Sequence, residues 1–198
     1  MTLKPYAKYK DSGVEWLGKV PEHWDVVQSR RLFSERKEKA KQEDIQLTAS
    51  QKYGILPQTE FMSLEGRKVV QVIVGSDILK HVNCNDFVIS MRSFQGGLEL
   101  CRYSGSISSA YVPLIPIKKV VPNFFYYLFK SEPYIKALQT TSNLIRDGQA
   151  LRFENFSLVP LPIVPDNEQT AIAAYLDQET ARIDELIAQK TRFIELLK

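Results

Sequence analysis

Arg92, Ser93 and Gln95 stand together in the string RSFQGG, directly before two glycines. Arginine and glutamine have the best two-pronged hydrogen-bonding geometry toward base edges, to guanine O6/N7 and adenine N6/N7 respectively. Glycine lets a backbone turn tightly or approach a phosphate closely. A second cluster, NLIRDGQ, repeats the recipe, with Arg146 and Gln149 around a turn at Asp147-Gly148. The string QKYG places Lys52 on a surface loop between apolar runs. The chemistry on offer is hydrogen bonding and charge pairing rather than bond making. A hairpin whose Phe94 turns into the core and whose Arg92 pairs with an acid would carry the same string, so on residues alone both readings stand.

Bond-making constellations do not assemble. The chain has no GxxxxGK[ST] phosphate loop, no HExxH, no GxSxG and no CxxC pair. With only His23 and His81, histidine-based metal or triad chemistry has little material, and both read as surface or packing residues. A nuclease needs clustered carboxylates with a lysine around a metal. Asp86 and Glu99 flank the RSFQGG hairpin, but Cys101 stands where that lysine would help. A methyltransferase would need an Asn/Asp-Pro-Pro-aromatic loop, and Glu132-Pro133-Tyr134 lacks both the amide and the second proline. The expectation is a chain that catalyses nothing by itself and carries no metal or cofactor.

The elements that must position these residues follow from pattern. DFVISM (86–91) alternates Phe87, Ile89 and Met91 against Val88, Ser90 and Arg92, as a strand does, and reads as a buried strand that breaks at the RSFQGG string. VVQVIV (69–74), LELCRY (98–103) and AYVPLIPI (110–117) are further strands rich in β-branched residues. Residues 1–25 read as an extended lead-in holding Trp16 and Trp24, followed by a short strand or turn and a charged helix over RRLFSERKEKAK. Asn123 to Thr141 is helical in spacing, broken at Pro133. RFENFSLVPLPIVP reads as short extended structure ending in a proline-spaced connector. Asp166, with Gln169 three residues later and Pro165 before it, carries a helix-start signature with the aspartate as N-cap.

Nothing breaks a helix from there to Lys198. Ile172, Leu176, Ile183, Ile187 and Ile194 fall on one stripe, with Glu179 and Lys190 inside the seam. About 30 residues at 1.5 Å each make a rod of roughly 45 Å. A small domain cannot cover such a stripe alone, so the stripe is expected to meet a partner helix.

Composition sets the frame. The chain has 198 residues, 44% hydrophobic and 25% charged, ordinary values for a globular protein with one core and an appendage. No apolar run reaches the roughly 18 residues of a membrane span, and the start opens no signal peptide. Cys84 and Cys101 suit reduced thiols in a cytoplasm. Residues 1–165 carry a surplus of six positive charges and residues 166–198 a surplus of three negative ones. The front of the chain is therefore the part expected to meet a polyanion.

Three strings also carry a family likeness. YKDSGVEWLGKVPEHWDV, DFVISMRSFQGGLEL with SSAYVPL behind it, and RFENFSLVPLPIVPDNEQTAIAAYLDQETARIDELIAQK resemble the specificity subunit of type I restriction–modification enzymes. The resemblance covers nearly the whole chain. The proline-spaced strand, then Glu168-Gln169, then AIAAYLD and an ID-x-LI-x-K run is its most specific part. The resemblance implies a subunit with two target-recognition domains, each followed by a long helix. The helices pack antiparallel as a ruler, and each domain reads one half of a split DNA sequence. Methyltransferase subunits that use S-adenosylmethionine bind alongside, and restriction subunits driven by ATP with Mg2+ join them.

The expected fold is α+β, with a globular target-recognition domain over 1–160 and a connector plus long coiled-coil-forming helix over 161–198. At one domain and one helix, the chain is expected to be the N-terminal half of a longer subunit or a half-subunit that dimerises, and its opening suggests a separate polypeptide. The rod spans about 13 base pairs at 3.4 Å rise. Expected partners are double-stranded DNA, methyltransferase subunits, restriction subunits, and a second long helix from its own C-terminal half or a homodimer, with no membrane and a cytoplasmic location. Side-chain chemistry assigns DNA contacts to Lys52, Arg92, Ser93, Gln95, Arg146 and Gln149, with Gln51, Arg67, Lys68 and Arg152 behind them. Two rival readings are an assembly adapter that reads no sequence and the recognition end of a fused methyltransferase–nuclease.

Overall fold

Aromatic side chains converge on one point. Phe33, Phe87, Phe129 and Phe156 are essentially fully buried, and the Phe33 ring meets Phe87, Phe125, Phe129 and Phe156 at centroid distances of 5.2 to 5.8 Å. Edge-to-face contacts of this kind add to the burial of large apolar area. The elements that deliver these rings come from both ends of the chain. The computed structural model describes residues 5–66, 78–91, 93–141 and 151–197.

In chain order the strands are β1 (Tyr9–Asp11), β2 (Lys19–Pro21), β3 (Asp25–Gln28), β4 (Phe33–Glu35), β5 (Leu47–Ser50) and β6 (Gly54–Pro57). They continue with β7 (Lys80–Val82), β8 (Phe87–Ile89), β9 (Glu99–Leu100), β10 (Gly105–Ile107), β11 (Val112–Pro116) and β12 (Pro160–Ile163). The helices are α1 (Gln58–Glu65), α2 (Ser93–Gly96), α3 (Pro122–Lys130), α4 (Glu132–Thr140), α5 (Phe153–Leu158) and α6 (Asp166–Leu196). Strands and helices form an α+β body that ends in one long helix.

A four-stranded antiparallel sheet, ordered β4-β11-β8-β9, divides the interior. One face carries Phe33, Phe87, Ile89, Leu100 and Leu114 against α3, α4 and α5. The other sends Val88 and Cys101 into a second cluster with Leu47, Ile55, Val82 and Ile107. Strand pairings run round that cluster. β7 pairs with β10, Gln46 lies beside Ser106, β5 pairs with β6, Ile55 lies beside Cys101, and β9 leads through β8 to β11, which packs against β7. A strand inside such a ring is buried on both faces. Phe87, Val88 and Ile89 accordingly all lie inside, as expected of a buried strand, while Met91 at its end is 46% exposed.

The sequence pattern gives way to tertiary packing at other points. RRLFSERKEKAK forms no charged helix. A single 3-10 turn covers Ser29–Arg31, and β4 follows because Phe33 belongs in the aromatic core beside β11. Burial of that ring outweighs the modest local helix preference of the charged residues. RFENFSL is helical rather than extended, with Phe156 on its buried side. The strand expected over 69–74 lies outside the described residues. The helical pair α3 and α4 meets where Ser131 precedes Pro133, as the proline demands.

The long helix begins as expected, by a different mechanism. Pro165 is the N-cap, Asp166 is already helical, and its carboxylate pairs with Lys119 at 2.8 Å. Asp166 and Glu168 in the first turn suit the positive end of the helix dipole. Gln169 is buried. Its Oε1 accepts the Val121 N–H at 2.8 Å and its Nε2 donates to Val164 O at 2.8 Å. Tyr6 and Trp24 donate to Glu168 Oε2 at 2.7 and 2.9 Å, and His23 Nε2 bonds Oε1 at 2.7 Å. Farther along, Asp177 accepts from Tyr127 Oη (2.7 Å) and Asn123 Nδ2 (3.1 Å) of α3. Ile172 packs against the body's own core and so leaves the partner-facing stripe, and Leu176 is half-buried. From Ala181 to Leu197 every residue is exposed, including Ile183, Ile187 and Ile194. No described helix is long and apolar enough to cross a membrane.

Candidate nucleic-acid interface

Strand directions gather several turns at one end of the ring. β5 runs into the Gln51–Tyr53 turn and β6 runs out of it. The parallel bridge between Ile55 and Cys101 sets the start of β9 beside the start of β6. β8, antiparallel to β9, ends there, and β11, antiparallel to β8, begins there after the Ser108–Tyr111 turn. Gly96 touches the Gln51 side chain, with its ideal Cβ position 3.4 Å from Nε2, and Gly54 faces Glu99 in the same way at 3.6 Å. The QKYG and SFQGG turns therefore form one surface.

Packing explains the glycine pair. Gly97 has φ +74°, and a Cβ there would sit 2.1 Å from Phe129 O, so the turn closes tightly onto the end of α3. Lys130 at that helix end donates to Gly96 O (2.9 Å) and to Glu99 Oε1 (2.5 Å). Burial raises the Glu99 carboxyl, opposed by the Lys130 ammonium. Asp86 opens the preceding strand and is held by Arg36, with Nε to Oδ2 at 2.6 Å and NH2 to Oδ1 at 3.1 Å. The carboxylates that flank the hairpin are thus both committed to cations, buried Arg36 and half-buried Lys130. Among the described residues no group of three or more His, Cys, Asp or Glu could hold a metal ion. Cys101 is buried, which pushes its thiol up to about 12, and Cys84 is exposed.

The expected contact residues divide accordingly. Lys52 is exposed on its turn, 3.4 Å from Glu65 and 4.6 Å from the Tyr53 ring centroid, with its pKa raised chiefly by hydrogen bonding to Tyr53. Gln95 is exposed on the adjacent turn, and Gln51 lies between them. Ser93 is corrected. Its side chain is fully buried and its Oγ accepts the Ser90 N–H at 2.8 Å, so it shapes the turn from within rather than reaching a ligand. Arg92, Arg146, Gln149, Arg67 and Lys68 lie outside the described residues. Arg152 is exposed at the start of α5, where its N–H donates to Asn155 Oδ1 at 3.0 Å. It borders a polar cleft of about 390 Å³ with Glu35, Lys80, Ser109 and Glu154. A larger cavity of about 640 Å³, lined by Trp16, Pro133, Ala137 and Leu158, shares no residue with these turns.

Sequence reasoning missed Lys80, which enters the cleft by strand pairing, and the Tyr6–His23–Trp24 grip on Glu168. The one hint of that grip was the appearance of both strings in the family likeness.

A model of the type I restriction modification DNA specificity domain matches residues 21–196. No curated protein matches the sequence. Among solved structures, the HsdS subunit from Thermoanaerobacter tengcongensis is similar at 16% identity and TM-score 0.54, over 90% of this chain and 41% of that one. A chain from a structure of complex assembly and conformational transition of the type I R-M system is similar at 17% identity and TM-score 0.55, over 84% and 40%. At such identities the likeness is one of fold, and this chain spans about two fifths of the length of either solved chain. The family match runs unbroken from the lead-in through the turn-bearing ring to the end of the long helix, and the chain belongs to the type I restriction modification DNA specificity domain family.

Proposed function

We propose that this chain is a target-recognition module that reads one half of a bipartite DNA site for a type I restriction–modification assembly. The observation that carries the reading is the family match over residues 21–196, which takes in both the turn-bearing end of the ring and the long helix. The turn residues Lys52 and Gln95, with Arg92, Arg146 and Gln149, supply hydrogen-bonding groups suited to base edges, and Gln51, Arg67, Lys68 and Arg152 supply flanking polar and cationic groups. Residues 1–160 act as the DNA-reading unit and 161–198 as connector and spacer helix. The module recognises and positions. Methylation with S-adenosylmethionine and ATP- and Mg2+-dependent cleavage belong to methyltransferase and restriction subunits in the cytoplasm. The exposed stripe Ile183, Ile187 and Ile194 meets a second long helix, from a second copy or from a C-terminal half.

Selection from a randomised duplex library tests this. The chain is mixed with its methyltransferase subunit, and that subunit alone is the control. Enrichment of one short word is the expected result, and two inverted copies across a fixed gap would identify the second helix as that of another copy. A stable complex with no enriched word would overturn sequence readout and leave an assembly adapter.

A further inference from the structure

The segment after β4 is an extended edge that carries a row of lysines. The Arg36 N–H donates to Pro113 O at 2.9 Å, then the His81 N–H to Glu38 O at 3.0 Å and the Ala40 N–H to Leu79 O at 2.9 Å. Lys39 therefore stands directly opposite Lys80 in an antiparallel bridge. Side chains alternate along extended backbone. On one set of positions, Arg36 holds buried Asp86 and also bonds Glu38. On the other set stand Lys37, Lys39 and Lys41, all exposed; the Lys41 N–H donates to Asp44 Oδ2 at 2.8 Å, but among the described residues none of the three ammonium groups has an acidic partner.

Two further observations point to an anion. Lys80 is already matched to Glu35 at 3.6 Å and to Tyr111 O at 2.8 Å, so it leaves the Lys39 charge opposite it uncompensated. Like charges facing across a strand pair are destabilising unless something neutralises them. Lys80 also lines the polar cleft that Arg152 borders, at the same end of the ring as the Ser108–Tyr111 turn.

We infer that the edge formed by Lys37, Lys39 and Lys41, continued by Lys80 and Arg152, is a phosphate track that grips one DNA strand beside the base-facing turns. The inference rests on the DNA-recognition reading and, Arg152 apart, names residues that reading left out. It divides the labour. The track positions the duplex and carries no sequence information, while the turns specify.

The test is DNA binding across a salt series by the chain assembled with its methyltransferase subunit, on the selected word and on a scrambled duplex. The triple variant Lys37→Ala, Lys39→Ala, Lys41→Ala is compared with wild type and with the corresponding triple arginine variant. Three phosphate contacts predict that the slope of log K against log salt becomes shallower by about 2.7 in the alanine variant, equally on both duplexes, and is kept in the arginine variant. An unchanged slope would overturn the track while leaving DNA recognition standing. A loss confined to the selected word would overturn it by making these base contacts, and a loss in both variants with a lowered melting temperature would make the lysines structural. Absence of any salt-dependent DNA binding by the wild-type assembly would instead sink the recognition reading itself.

Discussion

Gly97 shows how closely the proposed reading surface is tied to the core. Its left-handed backbone and its contact with Phe129 O leave no room for a side chain. Gly97→Ala is expected to cost more than about 2 kcal/mol in urea unfolding. Gly96→Ala should cost about 1 kcal/mol or less, because its Cβ would meet only the flexible Gln51 side chain. Equal costs at the two positions would refute this account of the turn. Ser93 teaches a related lesson. As a residue type it suits a DNA contact, but a hydroxyl followed by a tight turn bonds its own backbone just as readily, and here Ser90 N–H takes it. Lys52 and Gln95 were legible because turn formers around them forecast exposure.

At the scale of elements, the grip on Glu168 sets how α6 leaves the body. Burial alone would raise the Glu168 carboxyl, but hydrogen bonds from Tyr6, Trp24 and His23 outweigh it and hold it below the ordinary carboxylate value. Tyr6 is pushed up to about 12 by burial and by that same carboxylate. A depressed folded pKa contributes stability above the unfolded value near 4.3, and that contribution is lost as pH falls through the folded value. Glu168→Gln should lower the melting temperature at pH 7 and flatten its dependence on pH between about 3 and 5. Parallel melting curves for wild type and variant over that range would remove the charge from the explanation. The long helix itself was readable from its 3- and 4-residue spacing and from Pro165, and the α3–α4 break from Pro133. Neither the β4 edge nor the Glu168 grip was, since one depends on a ring buried by distant elements and the other joins residues 145 positions apart.

For the whole molecule, the outer half of α6 is an uncovered apolar surface. Ile183, Ile187 and Ile194 are 49%, 58% and 55% exposed. Replacing all three with serine should abolish association through this helix in sedimentation velocity, while the body melts as before, because none of the three touches the core. A drop in the body's melting temperature would show that the stripe serves the domain after all. An isolated helical stretch of this length is marginal in water, so circular dichroism of the serine variant should also lose helix signal relative to the associated wild type.

The ties along the root of α6, at Glu168 and again at Asp177 and Thr180, have a mechanical meaning. From Thr180 to Leu196 the helix extends about 24 Å as an arm. A tilt of about 8° at its root moves the tip by about 3.4 Å, the rise of one base pair. Small angular play at these side chains is thereby magnified into a shift of register at the far end. The fulcrum, and not the arm, sets the accuracy of any distance the helix is used to measure.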